Sequence, residues 1–317
     1  MTIDAPTLLH AAALAAGAQQ YPAGALYVVA TPIGNLADLS LRALHVLALA
    51  DTIACEDTRH TGALLRHLGL DKPLLALHEH NESTAAARVI SLLAEGRRVA
   101  YVSDAGTPAV SDPGALLVAA VRQAGLRAVP IPGASSAVAA VSVAGDATAT
   151  GFRFVGFLPA KGGERRAAVQ AVAACADQQV LFEAPHRIEA LLAVLAEHLG
   201  RREVTLCREL TKQFEAVVTL PAAELPAWLA ADPNRGRGEF VLVVHALAPA
   251  TASDDDLPAE VLKVLRALLM AELPVKQAVS LAATITGAPR NALYEAALTL
   301  RDESVCETPT TERLPPG

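Results

Sequence analysis

The chain has 317 residues, 52% of them hydrophobic and only 3% aromatic, with a formal net charge of −7 at pH 7. That length bounds it to two or three domains with aliphatic cores, and the acidic balance excludes a sticky, non-specific nucleic-acid binder. The acids gather at 254–256, at Glu260 and beyond Leu300, which leaves the remainder near neutrality and room for a local basic face.

Cys55, Cys175, Cys207 and Cys306 follow no pairing or metal spacing, so they read as reduced thiols of a cytoplasmic protein. No basic segment precedes the Ala-rich start, so a signal peptide is not expected. No apolar run reaches the ~20 residues that span a bilayer.

Residues 1–23 hold no strand pattern and read as a mobile arm or loose helix. A buried strand is expected over 25–30, then the turn TPIGNLADLS and a helix over 41–50. This turn has neither the dinucleotide fingerprint nor P-loop spacing. The strand 52–54 leads into CEDTRHTGALLRHLGL, where Glu56, Asp57, Arg59 and His60 open a helix. The helix dipole accounts for the acids there but not for the cations. The strand 74–77 ends in HEHNE. Neighbours on an extended chain point alternately, so this cluster is expected to be a polar loop and not a metal site. Ser83 or Thr84 is the expected cap of a helix over 85–95.

The stretch VAYVSDAGTPAVSDPG, 99–114, passes from a short strand into a turn dense in Asp, Gly and Pro, and a helix over 115–124 follows. It is either an ordinary tight connection or a ligand loop at the carboxyl end of a sheet. After a strand over 128–131, Pro132 and Gly133 turn the chain. Ser135 and Ser136 then open a helix, as caps or as ligand contacts. Residues 24–145 thus read as a parallel α/β domain.

Near Gly145 the texture changes. Strands are expected at 152–157, 180–182, 203–207, 215–220 and 238–245, with basic loops carrying Lys161, Arg165, Arg166 and Arg187. This second α/β domain, 146–250, is expected to hold a mixed sheet. A linker over 251–258 precedes three short helices within 259–301, either a helix-turn-helix-like module or a packing appendage. The expected tail is 302–317.

The motifs LYVVATPIGNLADLSLRAL, ACEDTRHT, HEHNE, YVSDAGTPAVSDPG, VPIPGASS, FEAPHRI, GEFVLVV and KQA…ITG…NALYE occur in that order over 25–301. Together with GFLP-K-G-RR and CREL-K-E, they resemble the tetrapyrrole methylase superfamily, most closely a branch that methylates small-subunit ribosomal RNA. The resemblance implies two α/β domains with a cofactor cleft between them and, usually, a homodimer. It implies transfer of a methyl group from S-adenosylmethionine to the ribose 2′-hydroxyl of a cytidine in the decoding region of 16S RNA. By motif position the cofactor would meet Thr31, Pro32, Ile33, Gly34, Asp104, Ala105, Gly106, Ser135, Ser136, Phe182, Glu183, Ala184, Leu210, Glu239 and Phe240.

A division of labour follows from charge. Asp104 and turn carbonyls suit a sulfonium, while Arg59, Lys161, Arg165, Arg166 and Arg187 suit RNA phosphates. Glu56, Asp57, His78 and Glu183 are the candidates for proton handling. A tetrapyrrole acceptor is the nearest rival, although those enzymes resemble a Gly-rich first loop and lack the helical module. A ligand-sensing DNA-binding regulator is more remote, because Lys263, Arg266, Lys276, Arg290 and Arg301 are a sparse basic set.

Overall fold

The computed structural model describes residues 4–78, 81–247, 257–271 and 273–306. The chain divides into two compact units, Met1–Leu247 and Ala248–Gly317.

The first unit holds two sheets. Helix α1 (Ala5–Ala16) precedes the first, in which strands β1 (Ala25–Val29), β2 (Thr52–Cys55), β3 (Leu74–Ala76), β4 (Val99–Val102) and β5 (Arg127–Ile131) alternate with helices. Those helices are α2 (Leu41–Leu49), α3 (Thr58–His67), α4 (Glu82–Ala94), α5 (Ala115–Gln123) and α6 (Ser136–Ala144). The strand order is β3-β2-β4-β1-β5, and every pairing is parallel. Successive side chains leave a strand on opposite faces, so each strand feeds two cores. Tyr27, Val29 and Ile53 pack under α1, α2 and α3 with Ala12, Leu44, Leu47 and Leu65. Leu26, Ala54 and Tyr101 pack under α4 and α5 with Val89, Leu93, Leu117 and Val121. The neighbours β1 and β4 therefore send their following helices, α2 and α5, to opposite faces. Their loops part at the carboxyl edge of the sheet, which opens a crevice there.

Two local expectations are corrected. The first segment, expected as a mobile arm or loose helix, is a packed helix: α1 buries Ala12 and Ala16, Ala12 in the core shared with α2. Helix α4 begins at Glu82, with Asn81 at its N-cap and no side-chain cap, so Ser83 and Thr84 lie inside it. Glu82 is buried and serves a different helix. Its Oε1 accepts from the Gly114 N–H at 2.9 Å and the Leu117 N–H at 3.1 Å. Position 114 must be glycine, because its φ is +124° and a Cβ would sit 2.3 Å from Tyr101 Cε1. The residue at the N-cap of α5 thus has no side chain, and Glu82 supplies the cap.

The second sheet contains β6 (Phe152–Phe157), β7 (Gln178–Glu183), β8 (Glu203–Arg208), β9 (Ala216–Pro221) and β10 (Phe240–Val244). Its order is β6-β7-β10-β8-β9. Only β6 and β7 run parallel, so the sheet is mixed. Helices α7 (Gly162–Ala174), α8 (Ile188–Leu199) and α9 (Leu225–Ala230) cover one face. The other face is covered by α6, whose Ala137, Ala140 and Ala144 pack on Val180, Cys207, Val241 and Val243. Helix α6 follows the last strand of the first sheet yet is the cover of the second. That shared helix joins the two α/β halves into one unit, so the boundary expected near 145 is not a break in packing.

The second unit consists of α10 (Ala259–Met270), α11 (Val275–Thr286) and α12 (Arg290–Cys306), closed around Leu265, Ala278, Ala282, Leu293 and Ala297. Helix α11 ends at Gly287 in the left-handed conformation expected of a C-cap glycine. Helix α12 runs past Arg301, so the tail expected from 302 begins as helix. The remainder of that tail, and most of the expected linker, lies outside the described residues.

Replacing Glu82 by Ala leaves two N–H groups without their partner, and the unfolding free energy is expected to fall by about 1–3 kcal/mol. Urea denaturation of E82A beside the unsubstituted chain measures it.

Candidate active site

Three loops at the carboxyl edge of the first sheet are tied together by backbone. Thr31 and Gly106 exchange two hydrogen bonds, Thr31 N–H to Gly106 O at 2.9 Å and Gly106 N–H to Thr31 O at 3.0 Å. The Thr31 hydroxyl donates to Ser103 O at 3.3 Å, and the Thr107 hydroxyl donates to Ala134 O at 3.0 Å. Gly106 has φ +80°, a region that side chains avoid. From the β2 loop, the Asp57 N–H donates to Asp104 Oδ1 at 3.2 Å.

The opposite wall comes from the second sheet. Phe240 pairs with Glu183 in register, placing the start of β10 beside the end of β7. After β8, Glu209 and Thr211 take left-handed φ values of 52° and 67°, a strain that surrounding contacts must hold. Glu209 Oε1 accepts from the Glu239 N–H at 3.0 Å and from Lys212 Nζ at 2.9 Å, and Lys212 also reaches Glu239 Oε2 at 3.0 Å. Burial alone would raise the Glu209 carboxyl, but the Glu239 N–H and the Lys212 ammonium outweigh it and hold it below the usual range. This turn meets the first lobe closely: a Cβ on Gly34 would stand 2.5 Å from Lys212 Cγ.

Between the walls lies a cavity of about 390 Å³. It brings together Ile33, Ala105, Ser136, Phe182, Glu183, Ala184, Leu210, Glu239 and Phe240. The residues flanking Ile33, together with Thr31 and Asp104, line a second hollow of about 420 Å³ with His60, Leu64 and His67. Gly106 forms the bridge itself, and Ser135 faces a third hollow beside β5 and α6. Sequence reasoning missed Ser111, Asp112, Phe157 and Cys207, which also line the main cavity. Asp112 stood in the dense turn 103–114. Phe157 and Cys207 carried no signal beyond their strands.

The basic residues divide differently from the expectation. Arg165 is buried, its Nη2 3.4 Å from Glu183 Oε2 and its Nη1 donating to Ala160 O at 3.0 Å. Arg187 Nε stands 3.0 Å from Glu183 Oε1, and Nη2 donates to Leu158 O. Both guanidiniums therefore brace the 158–160 loop. The Glu183 side chain is fully enclosed and ion-paired with both guanidiniums. Lys161 and Arg166 are exposed. Adjacent residues on a helix point about 100° apart, which sends Arg165 inward and Arg166 outward.

Among the other candidates, Asp57 caps α3 by accepting from the Arg59 N–H at 2.7 Å and pairs with the Arg59 guanidinium at 2.7 Å. That side-chain pairing, with the backbone bond, holds Asp57 far below the usual carboxylate range. Arg59 is exposed but already paired. Glu56 is half-buried, and burial, then the charges of Asp104 and Asp112, push its carboxyl up. His78 is exposed at the end of β3, where its N–H donates to Asn81 Oδ1 at 2.8 Å. Glu79 and His80 of the same motif lie outside the described residues.

Glu183→Ala would strand two guanidiniums, one of them buried. An unfolding free energy about 3–5 kcal/mol lower is expected, read from the denaturant midpoint.

Comparison with known proteins agrees with this architecture. The family model "Tetrapyrrole (Corrin/Porphyrin) Methylases" matches residues 25–226, and "RsmI C-terminal HTH domain" matches residues 255–301. Ribosomal RNA small subunit methyltransferase I of Escherichia coli O157:H7 is 49% identical over 279 residues, covering 87% of this chain and 95% of that protein. The protein of that name from Pseudomonas aeruginosa is 48% identical, covering 89% and 99%. That from Vibrio cholerae is 47% identical, covering 85% and 93%. Among solved structures, cobalt precorrin-4 methyltransferase superposes with a TM-score of 0.52 at 17% identity, covering 71% of this chain and 98% of that one. The methyltransferase CobJ superposes with a TM-score of 0.53 at 20% identity, covering 70% and 93%, and this pair shows the fold alone. The chain belongs to the tetrapyrrole (corrin/porphyrin) methylase family and, within it, to the group of ribosomal RNA small subunit methyltransferases I.

Proposed function

We propose that this methyltransferase transfers a methyl group from S-adenosylmethionine to the 2′-hydroxyl of a cytidine in the decoding region of small-subunit ribosomal RNA. The observation that carries the reading is one cavity walled by seven separate chain segments from both sheets. Its volume, about 390 Å³, lies in the range of roughly 300–1,000 Å³ typical of small-molecule sites. Its lining fits the donor: apolar Ile33, Phe157, Phe182 and Phe240 offer surface to a flat base, and turn backbone offers polar partners. When bound, the donor supplies an already activated methyl carbon.

The protein's task is then orientation. Holding hydroxyl and methyl carbon in line can contribute about 7–11 kcal/mol to lowering the barrier. The Thr31–Gly106 bridge and the strained 209–211 turn fix the two walls that do this. Exposed Lys161 and Arg166, at the start of α7, are placed to meet RNA phosphates. The three-helix unit is the natural second RNA contact, and a homodimer in the cytoplasm completes the reading. Among the described residues no helix is long and apolar enough to cross a membrane.

The reading is tested by offering radiolabelled S-adenosylmethionine with small ribosomal subunits, naked ribosomal RNA and a tetrapyrrole in parallel. Label in RNA sugar supports it, and label in the tetrapyrrole alone overturns it. Asp104→Ala is expected to weaken S-adenosylmethionine binding by more than about tenfold, some 1.4 kcal/mol in calorimetry. Lys161→Glu is expected to weaken RNA binding by roughly threefold or more at low salt, less at high salt, with donor affinity unchanged.

A further inference from the structure

The geometry points to Asp112 as the group that accepts the proton of the attacking hydroxyl. This rests on the acceptor being a hydroxyl, as proposed above. Three carboxylates line the main cavity: Asp112, Glu183 and Glu239. Glu183 is enclosed by the guanidiniums of Arg165 and Arg187. Glu239 is paired with Lys212 at 3.0 Å. Among the described residues Asp112 alone of the three has no cationic partner. The hydroxyl of the preceding residue, Ser111, donates to its Oδ1 at 3.4 Å.

The carboxylate is also held in place. The Tyr101 hydroxyl donates to Pro113 O, and Glu82 accepts from the Gly114 N–H, so the two residues after Asp112 are anchored to the sheet and to α4. The titratable groups coupled to it are Asp104, whose charge acts on Asp112, and Glu56 and the Tyr101 phenol, on which the charge of Asp112 acts. Burial, then the negative charge of Asp104, raise the Asp112 carboxyl, opposed by the Ser103 and Ser111 hydroxyls. A proton acceptor benefits from that environment. In the step itself the hydroxyl oxygen bonds the methyl carbon while the carbon–sulfur bond breaks, its electron pair remaining on sulfur. The hydroxyl proton passes to an Oδ of Asp112, leaving an ether, a thioether and a carboxylic acid.

The experiment compares the full-length chain with Asp112→Asn and Asp112→Glu on small ribosomal subunits. D112N is expected to lose about 100-fold or more in kcat, with calorimetric affinity for S-adenosylmethionine unchanged. D112E is expected to recover part of the rate, and the fall in kcat at acid pH is expected to vanish in D112N. A second readout needs no donor. A folded carboxyl with a raised pKa binds its proton more tightly than the unfolded chain does, so its ionisation lowers stability as pH rises above about 4. D112N is therefore expected to raise the urea midpoint at pH 7, with the gain disappearing at acid pH. An unchanged kcat, a loss of donor affinity that accounts for the loss of rate, or D112E no better than D112N would each overturn the assignment of Asp112. Failure of the unsubstituted chain to label RNA would overturn the hydroxyl acceptor itself and is read separately.

Discussion

Two hydrogen bonds between Thr31 and Gly106 hold the architecture of the site. Residues some seventy-five positions apart are joined at the edge where β1 and β4 send their chains to opposite faces of the sheet. Without that bridge the two loops would be free to splay, since connections at a switch point diverge by construction. Gly106 accepts the required backbone angle at no steric cost, and Thr31 adds a third bond through its hydroxyl to Ser103. Every further contact of the first wall, including Thr107 to Ala134 and Asp57 to Asp104, builds on a loop already fixed there.

The second wall is rigid for a different reason. It is organised by charge: Glu209, Lys212 and Glu239 close one turn, and Arg165, Glu183 and Arg187 close another. An ion pair removed from water is costly unless its geometry is good, and breaking one member is costlier still. Such groups specify loop positions more than they add net stability. One consequence is functional. Charges already paired with neighbours are held in place, and the proposed proton transfer draws on a carboxylate without a cationic partner.

Helix α6 shows how the lobes are made inseparable. Its Ala/Val composition carries little amphipathic asymmetry, and its small alanines allow close approach to the second sheet while Val138 and Val143 stay exposed. Ala137, Ala140 and Ala144 lie against the second sheet, while Ser135 at its start belongs to the first-lobe loops. The cavity therefore sits between two sheets clamped by a common element.

The strands and the order of the motifs were legible in the chain because apolar runs bounded by Gly, Pro and Asp report local backbone preferences. The strands at 99–102 and 152–157 coincide with the expectation, and the left-handed Gly287 was legible for the same reason. Partnership was not legible. Nothing local separates Arg165 from Arg166, yet one is enclosed against Glu183 and the other exposed. Glu82 reads as an ordinary first-turn acid of its own helix, but it caps α5, thirty-two residues onward. Asp112 was one polar turn residue among several until the cations around Glu183 and Glu239 set it apart. The sequence by itself determined the alternating elements and the family, because both are written in short-range pattern. Only the tertiary structure decided which charges meet, because ion pairing depends on distances between residues that the chain holds far apart.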